Sequence, residues 1–279
     1  GTLANRVFTG NVMSNVSSGT GSIYCGYVLG AFVNQISNNT VSNISTGGLV
    51  YAFYNSGTTL THTNNTVNNI TVGSTFYGIY AYGTTSSVTN NSITGVTETG
   101  TGAVYGVYLS STCTNGTVAS NTLSGFTSAG STLMGMYIGA GTSNVNKNKI
   151  VNFNSTNATT PIVSGINVAL NNANLTNNII GDLRATAANS ASGIAPSVRG
   201  VNITSATANT NINLYHNTIY LSATSTGANY STAGVFATNS VTATTARLKM
   251  IGNIVVNLST PNGTGIVSAY TRSAAGLNN

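Results

Sequence analysis

Along this chain, apolar residues stand in pairs three apart: Met13/Val16, Val41/Ile44, Val67/Ile70, Ile93/Val96, Leu123/Phe126, Ile150/Phe153, Ile180/Leu183 and Val255/Leu258. That spacing suits a helix face, but the residue just before the second apolar partner argues otherwise. It is Asn15, Asn43, Asn69, Gly95, Gly125, Asn152, Asp182 and Asn257 in turn. Asn, Asp and Gly enter left-handed backbone at the least cost. One such residue rotates a strand, so that the apolar side chains on both sides of it point inward. The pattern therefore predicts kinked β-strands. The remaining copy, in the eighth coil, carries Leu221 at the kink, which predicts altered geometry there.

A second apolar pattern follows each pair. It reads Gly78-Ile79-Tyr80, Gly106-Val107-Tyr108, Gly135-Met136-Tyr137, Gly165-Ile166-Asn167, Gly200-Val201-Asn202, Gly234-Val235-Phe236 and Gly265-Ile266-Val267, opened by Gly26-Tyr27-Val28 and varied as Ala52-Phe53-Tyr54. A third short strand, marked by Val33/Ile36, Leu60, Val88, Val118, Val145, Leu175, Ile212/Leu214 and Leu248/Met250, completes the unit. Turns rich in Thr, Ser, Gly and Asn separate these strands.

One asparagine precedes every apolar pair: Asn11, Asn39, Asn65, Asn91, Asn121, Asn148, Asn178, Asn217 and Asn253, at successive intervals of 28, 26, 26, 30, 27, 30, 39 and 36 residues. A fixed side chain at an irregular period marks a solenoid whose coils share a corner and vary in loop length. The expected fold is all-β: a right-handed, single-stranded parallel β-helix of about nine coils, with three short strands per coil. It spans residues 1–279 as one domain. Stacked amides at strand spacing would each donate to and accept from the next coil, forming an Asn ladder.

Composition fits an array with a dry interior and a nearly uncharged surface. Hydrophobic residues make up 41% and charged residues only 4%, so solubility rests on Thr, Ser, Asn and Gly. The formal charge of +6 arises from eight cations and two acids, and seven of those cations lie from Lys147 onward. Nucleic-acid binding calls for clustered cations. Here Lys147/Lys149 and Arg247/Lys249 read as solvated positions in strand-like stretches. Cys25 and Cys113 fall in the first and fourth coils, roughly 14 Å apart along the axis at the usual strand spacing. They are expected to stay unbonded to each other.

Catalytic chemistry finds little material. The two acids are Glu98, read as lying in a loop after a first strand, and Asp182, read as a turn former. Three coils separate them, too far for a glycosidase pair, and no acidic cluster is present to hold calcium. His62 and His216 lie in different coils and read as surface or corner residues that cannot share a metal. No catalytic residue, metal site or cofactor is expected. A binding surface is the remaining candidate. Tyr54, Tyr80, Tyr108 and Tyr137 occupy the outward position of consecutive second strands, an aromatic stripe suited to sugar rings or a protein face, or simply to stabilising the sheet. Thr40, Thr66, Thr122 and Thr218 share a register that ice binding would want, but Val12, Ser92, Lys149 and Ile179 interrupt it.

The combination of Asn-Thr-Val, Asn-Ile or Gly-Val, and then Gly-Ile-Tyr resembles the parallel β-helix repeats of large secreted, adhesin-like cell-surface proteins of Bacteroidetes. The resemblance covers essentially the whole chain. It implies an extracellular, non-catalytic structural or adhesive solenoid in a cell-surface or filament-forming protein. Its partners would be other copies or segments of the same surface protein, glycans, or a cell-surface scaffold, with no nucleic acid and no membrane insertion. The alternatives are a carbohydrate-binding or carbohydrate-active solenoid of the pectin-lyase-like type and, ranked last, an ice-binding protein. The start at Gly1 without Met, and the end mid-pattern at Gly276-Leu277-Asn278-Asn279, suggest a segment of a longer polypeptide.

Overall fold

The computed structural model describes residues 5–30, 32–139, 141–169, 172–190, 195–205, 207–238 and 245–273. The closing residues 276–279 lie outside them. Every regular element among the described residues is a β-strand, and every strand-to-strand ladder is parallel. The chain is a parallel β-solenoid.

The strands that follow the ladder asparagines form a first face, a nine-stranded sheet running from Val12–Ser18 to Ile254–Asn257. The second and third strands of the coils form two arms of a sixteen-stranded sheet. The arms join because in two coils the second and third strands fuse into single 14-residue strands, Val50–Thr63 and Phe76–Thr89. Three separate strands per coil is thus a rule with two exceptions.

The Asn ladder is continuous. Asn65 shows the unit: its backbone N–H and its Nδ2 both donate to Oδ1 of Asn91, at 2.9 Å each, and Nδ2 also donates to the carbonyl of Ile36 at 3.0 Å. The same donation to the next coil links every ladder asparagine from Asn11 to Asn253. From Asn39 to Asn217 these side chains are buried. A buried amide left without partners costs roughly 1–3 kcal/mol, so the chain must place an amide at every turn of this corner.

A left-handed residue precedes every ladder asparagine: Gly10, Asn38, Asn64, Asn90, Ser120, Lys147, Asn177, His216 and Gly252 all have φ between 55° and 70°. This corner was not read from sequence, because Ser, Lys and His disguise it among the Asn and Gly. It moves Lys147 from a strand to a bend and accounts for His216. The second bend was read correctly at Asn15, Asn43, Asn69, Gly95, Gly125, Asn152 and Asp182, all left-handed. Asn257 is a correction. It is absent from the left-handed set and sits at the end of a strand, its Nδ2 donating to the carbonyl of Ser268 at 2.9 Å.

Without the second bend, the last two first-face strands shorten from seven residues to four. Ile219 and Leu221 then point inward by plain alternation. Leu258, expected inside, is 63% exposed for the same reason.

Two other expected inward residues face solvent. Val33 is exposed because its column continues into Thr59 and Thr85 rather than into the apolar set. Ile266 is exposed because Tyr270, not Ile266, pairs with Val235.

The second-strand glycines answer a steric demand. A Cβ on Gly135 would stand 2.6 Å from the carbonyl oxygen of Gly165 and 2.8 Å from Cγ2 of Ile150. The first face presses against the second at this column, and only glycine leaves room. The core fills the space between the three faces with columns such as Val41, Val67, Ile93, Leu123, Ile150, Ile180 and Ile219.

Candidate functional site

The outward side of the second face carries two rows of tyrosines. The expected stripe of Tyr54, Tyr80, Tyr108 and Tyr137 is stacked, with ring centroids 5.1, 4.9 and 4.5 Å apart and planes within 9° of parallel. Tyr27 extends it, 4.8 Å from Tyr54. The sequence reading placed Tyr27 at the inward position; the ladder instead aligns Tyr27 with Tyr54 and puts Gly26 beside Phe53.

A second row, Tyr24, Tyr51, Tyr77 and Tyr105, stacks alongside at 5.2, 4.7 and 5.2 Å. The two rows meet edge to face, for example Tyr77 with Tyr80 at 5.1 Å and 88°. Sequence reasoning missed this row, although the signal was present. Four coils read Tyr-x-x-Tyr, and both tyrosines face out because the two residues between them, such as Ala52 and Phe53, both face in.

This packing limits what the surface can do. Each interior ring has row neighbours above and below it, so its faces are already occupied. Ring edges and hydroxyls remain for a ligand, in two ranks that advance by about one strand spacing per coil. Desolvation and the neighbouring phenols raise the Tyr51 hydroxyl to about 12, and burial also raises Tyr54, Tyr77, Tyr80, Tyr105 and Tyr108. These hydroxyls are therefore neutral donors and acceptors across the physiological range.

Past Tyr137 the same columns change character. The outer one continues as Asn167, Asn202 and Phe236, and the inner one as Met134, Ser164 and Arg199. All six are buried. Arg199 donates from Nε to the carbonyl of Pro196 at 2.8 Å and from Nη1 to Oδ1 of Asn202 at 3.0 Å, with its guanidinium 4.3 Å from the Phe236 ring centroid. Asn202 in turn donates to Asn167 at 2.6 Å. Burial lowers Arg199 to about 10.

Both acids have structural roles. Glu98 is buried at the end of its strand rather than in a loop. Its Oε1 accepts from the backbone N–H of Gly100 at 2.6 Å and Gly102 at 3.2 Å, and its Oε2 from Gly130 N–H at 2.8 Å and Ser128 Oγ at 2.9 Å. Thr46, Ser128 and Ser155, in the same column, receive an N–H from two residues on in the same way. Glu98 thus closes turns in two coils at once. Asp182 forms the bend and an exposed ion pair with Arg184 at 3.2 Å.

His62 corrects the surface reading. It is fully buried in a column of Ile36, Val88 and Val118, with neither ring nitrogen hydrogen-bonded, and desolvation lowers it to about 3. Cys25 and Cys113 are both free and buried. The threonine register of Thr40, Thr66, Thr122 and Thr218 is present but broken by Ser92, Lys149 and Ile179. Among the described residues, no three His, Cys, Asp or Glu side chains gather as a metal site, and no helix is long and apolar enough to cross a membrane. Compared with family models, with curated proteins and with solved structures, the chain matches none.

Proposed function

We propose that this chain is a non-catalytic structural and adhesive solenoid of an extracellular, cell-surface protein. The tyrosine platform is its contact face. That platform is the observation that carries the reading: nine stacked rings on an outward sheet present two ranks of hydroxyls. The employment of Glu98 and Asp182 in turns leaves no carboxylate pair to perform hydrolysis, which further supports a binding role. The resemblance to adhesin-like surface repeats favours export to the cell exterior.

A linear glycan is the partner whose chemistry fits best. Its hydroxyls recur along an extended chain and can pair with a rank of phenols at strand spacing, with ring edges packing on its C–H surfaces. The test is binding of the chain to linear polysaccharides, compared with a Tyr80→Ser/Tyr108→Ser double variant. Those residues point outward, so the variant should keep its circular dichroism and lose about 1–2 kcal/mol of stability from broken stacking. Binding should fall by at least about tenfold. Equal binding by the folded variant rejects the platform as the contact face.

A further inference from the structure

Arg199 is a buried cation beside which no Asp or Glu stands. Burial lowers it to about 10, so it keeps its charge at neutral pH. A buried charge is costly unless it is paired. The chain has two acids, and both lie on the first face, in the strands Ser92–Glu98 and Ile179–Ala185. Glu98 is held by four donors, and Asp182 pairs with Arg184. Neither is on the face that carries Arg199.

Neutral neighbours satisfy only part of the guanidinium. Of its five N–H donors, Nε gives one to the Pro196 carbonyl and Nη1 gives one to Oδ1 of Asn202. The Phe236 ring covers one flat side, 4.3 Å from Cζ to the ring centroid. Nη2 makes no hydrogen bond among the described residues and is not shut off from solvent, and the side chain as a whole keeps 8% of its surface. The group is therefore held in place with one edge open.

A second polar group stands in the same column. Ser164 pairs with Arg199 across the ladder, so the two side chains leave the same side of the sheet about one strand spacing apart. The Ser164 hydroxyl is fully buried and has no hydrogen-bond partner among the described residues. A buried hydroxyl in that state is destabilising until something bonds to it. Next to this column, Asn202 donates to Asn167 at 2.6 Å, which fixes the Oδ1 that orients Arg199.

We propose that these residues form an anion site, in which Arg199 takes the carboxylate of a small organic acid on Nη2 and Ser164 Oγ is a further donor. The site goes beyond the tyrosine platform, which lies in other coils, and either can fail without the other. Two features select a carboxylate over a tetrahedral anion. With Phe236 against its flat side, the guanidinium is approached in its own plane, where a planar pair of oxygens accepts side by side. A carboxylate also carries one charge and neutralises one cation, whereas phosphate would leave surplus negative charge in a buried place.

Titration of the isotope-labelled protein with sodium acetate, against sodium chloride at equal ionic strength and neutral pH, reads the site. The Arg199 Nε–H resonance should move and saturate with acetate, and stay in place with chloride. The thermal midpoint should rise with acetate beyond its value in chloride. Arg199→Met should lose that difference. Arg199→Lys keeps the charge without the fork and should bind acetate at least about tenfold more weakly. Arg184→Met, on another face, and Tyr80→Ser/Tyr108→Ser should both bind acetate like the parent. An Arg199 resonance that ignores acetate overturns the proposal, and this outcome is read on the parent chain whether or not Arg199→Met folds. An acetate-specific rise kept in full by folded Arg199→Met overturns it as well. Phosphate bound more tightly than acetate overturns the choice of carboxylate, and unchanged binding in Ser164→Ala strikes Ser164 from the site.

Discussion

From Tyr24 to Tyr108 both outward columns of the second face are tyrosine and open, whereas Met134 and then Asn167, Ser164, Arg199, Asn202 and Phe236 are buried in the same columns, although the backbone ladder runs through both without a break. The difference lies in the connections. Residues 99–102 link Glu98 to Ala103 by a tight turn, whereas 186–197 link Ala185 to Val198 and supply the Pro196 carbonyl to Arg199. In the sealed half the Pro196 carbonyl reaches the face and holds the buried Arg199 there. One strand scaffold thus yields a contact platform in one half and a buried polar string in the other.

The largest expected effect concerns a group found only in the open half. His62 has a folded pKa far below its unfolded value, so the unfolded chain takes up the proton first. Stability is then complete above about pH 6.5 and drains as pH falls toward 3, by as much as ~5 kcal/mol. Urea unfolding at pH 7 and pH 4 should show this loss. His62→Val, which matches Val88 and Val118 in its column, should remove the histidine's share of it and add about 1–2 kcal/mol at neutral pH. An acid loss that survives unchanged in His62→Val would assign the sensitivity elsewhere.

The ladder itself should not distinguish the halves. Asn91→Leu deprives Asn65 of the acceptor for two donors and takes the amide donor from the His62 carbonyl. Asn178→Leu does the same to Asn148 and the Val145 carbonyl. Each should cost about 3 kcal/mol or more, and midpoints of denaturant unfolding should drop alike. A clearly larger drop in one half would show that coils carry unequal shares of the array's stability.

The smallest effect separates two residues of the sealed half. Asn202→Leu strips Arg199 Nη1 of its acceptor while the charge stays buried, and should cost about 2 kcal/mol. Arg199→Met removes that charge together with its desolvation penalty and should change stability by less than about 1 kcal/mol, because a well-packed apolar replacement of a buried ion is often nearly neutral. The reverse order would mean that Arg199 earns its place through its cation–π contact with Phe236.

Much of this was legible in the residues because a solenoid writes its geometry repeatedly. The ladder asparagines, the inward pairs up to Leu183, and the stripe of Tyr54, Tyr80, Tyr108 and Tyr137 each recur with their neighbours, so local chemistry names them. The misreadings gather where the repeat lapses. Leu258 and Asn257 follow a coil that lost its bend, Ile266 lies out of phase in the last coil, and Tyr27 in the first. His62 was misplaced for another reason: a histidine is seldom fully buried without partners, and its column betrays it only when coils are aligned through Ile36 and Val88.

Sequence alone determined the all-β array, its shared amide corner and its dry interior, because those follow from which residues can bend, pair and bury at each position. Only the tertiary structure decided that tyrosine faces are spent on one another, that Glu98 is a turn clasp, and that one face is open in one half and closed in the other. Those outcomes depend on which residues from separate coils come within a few ångströms of one another.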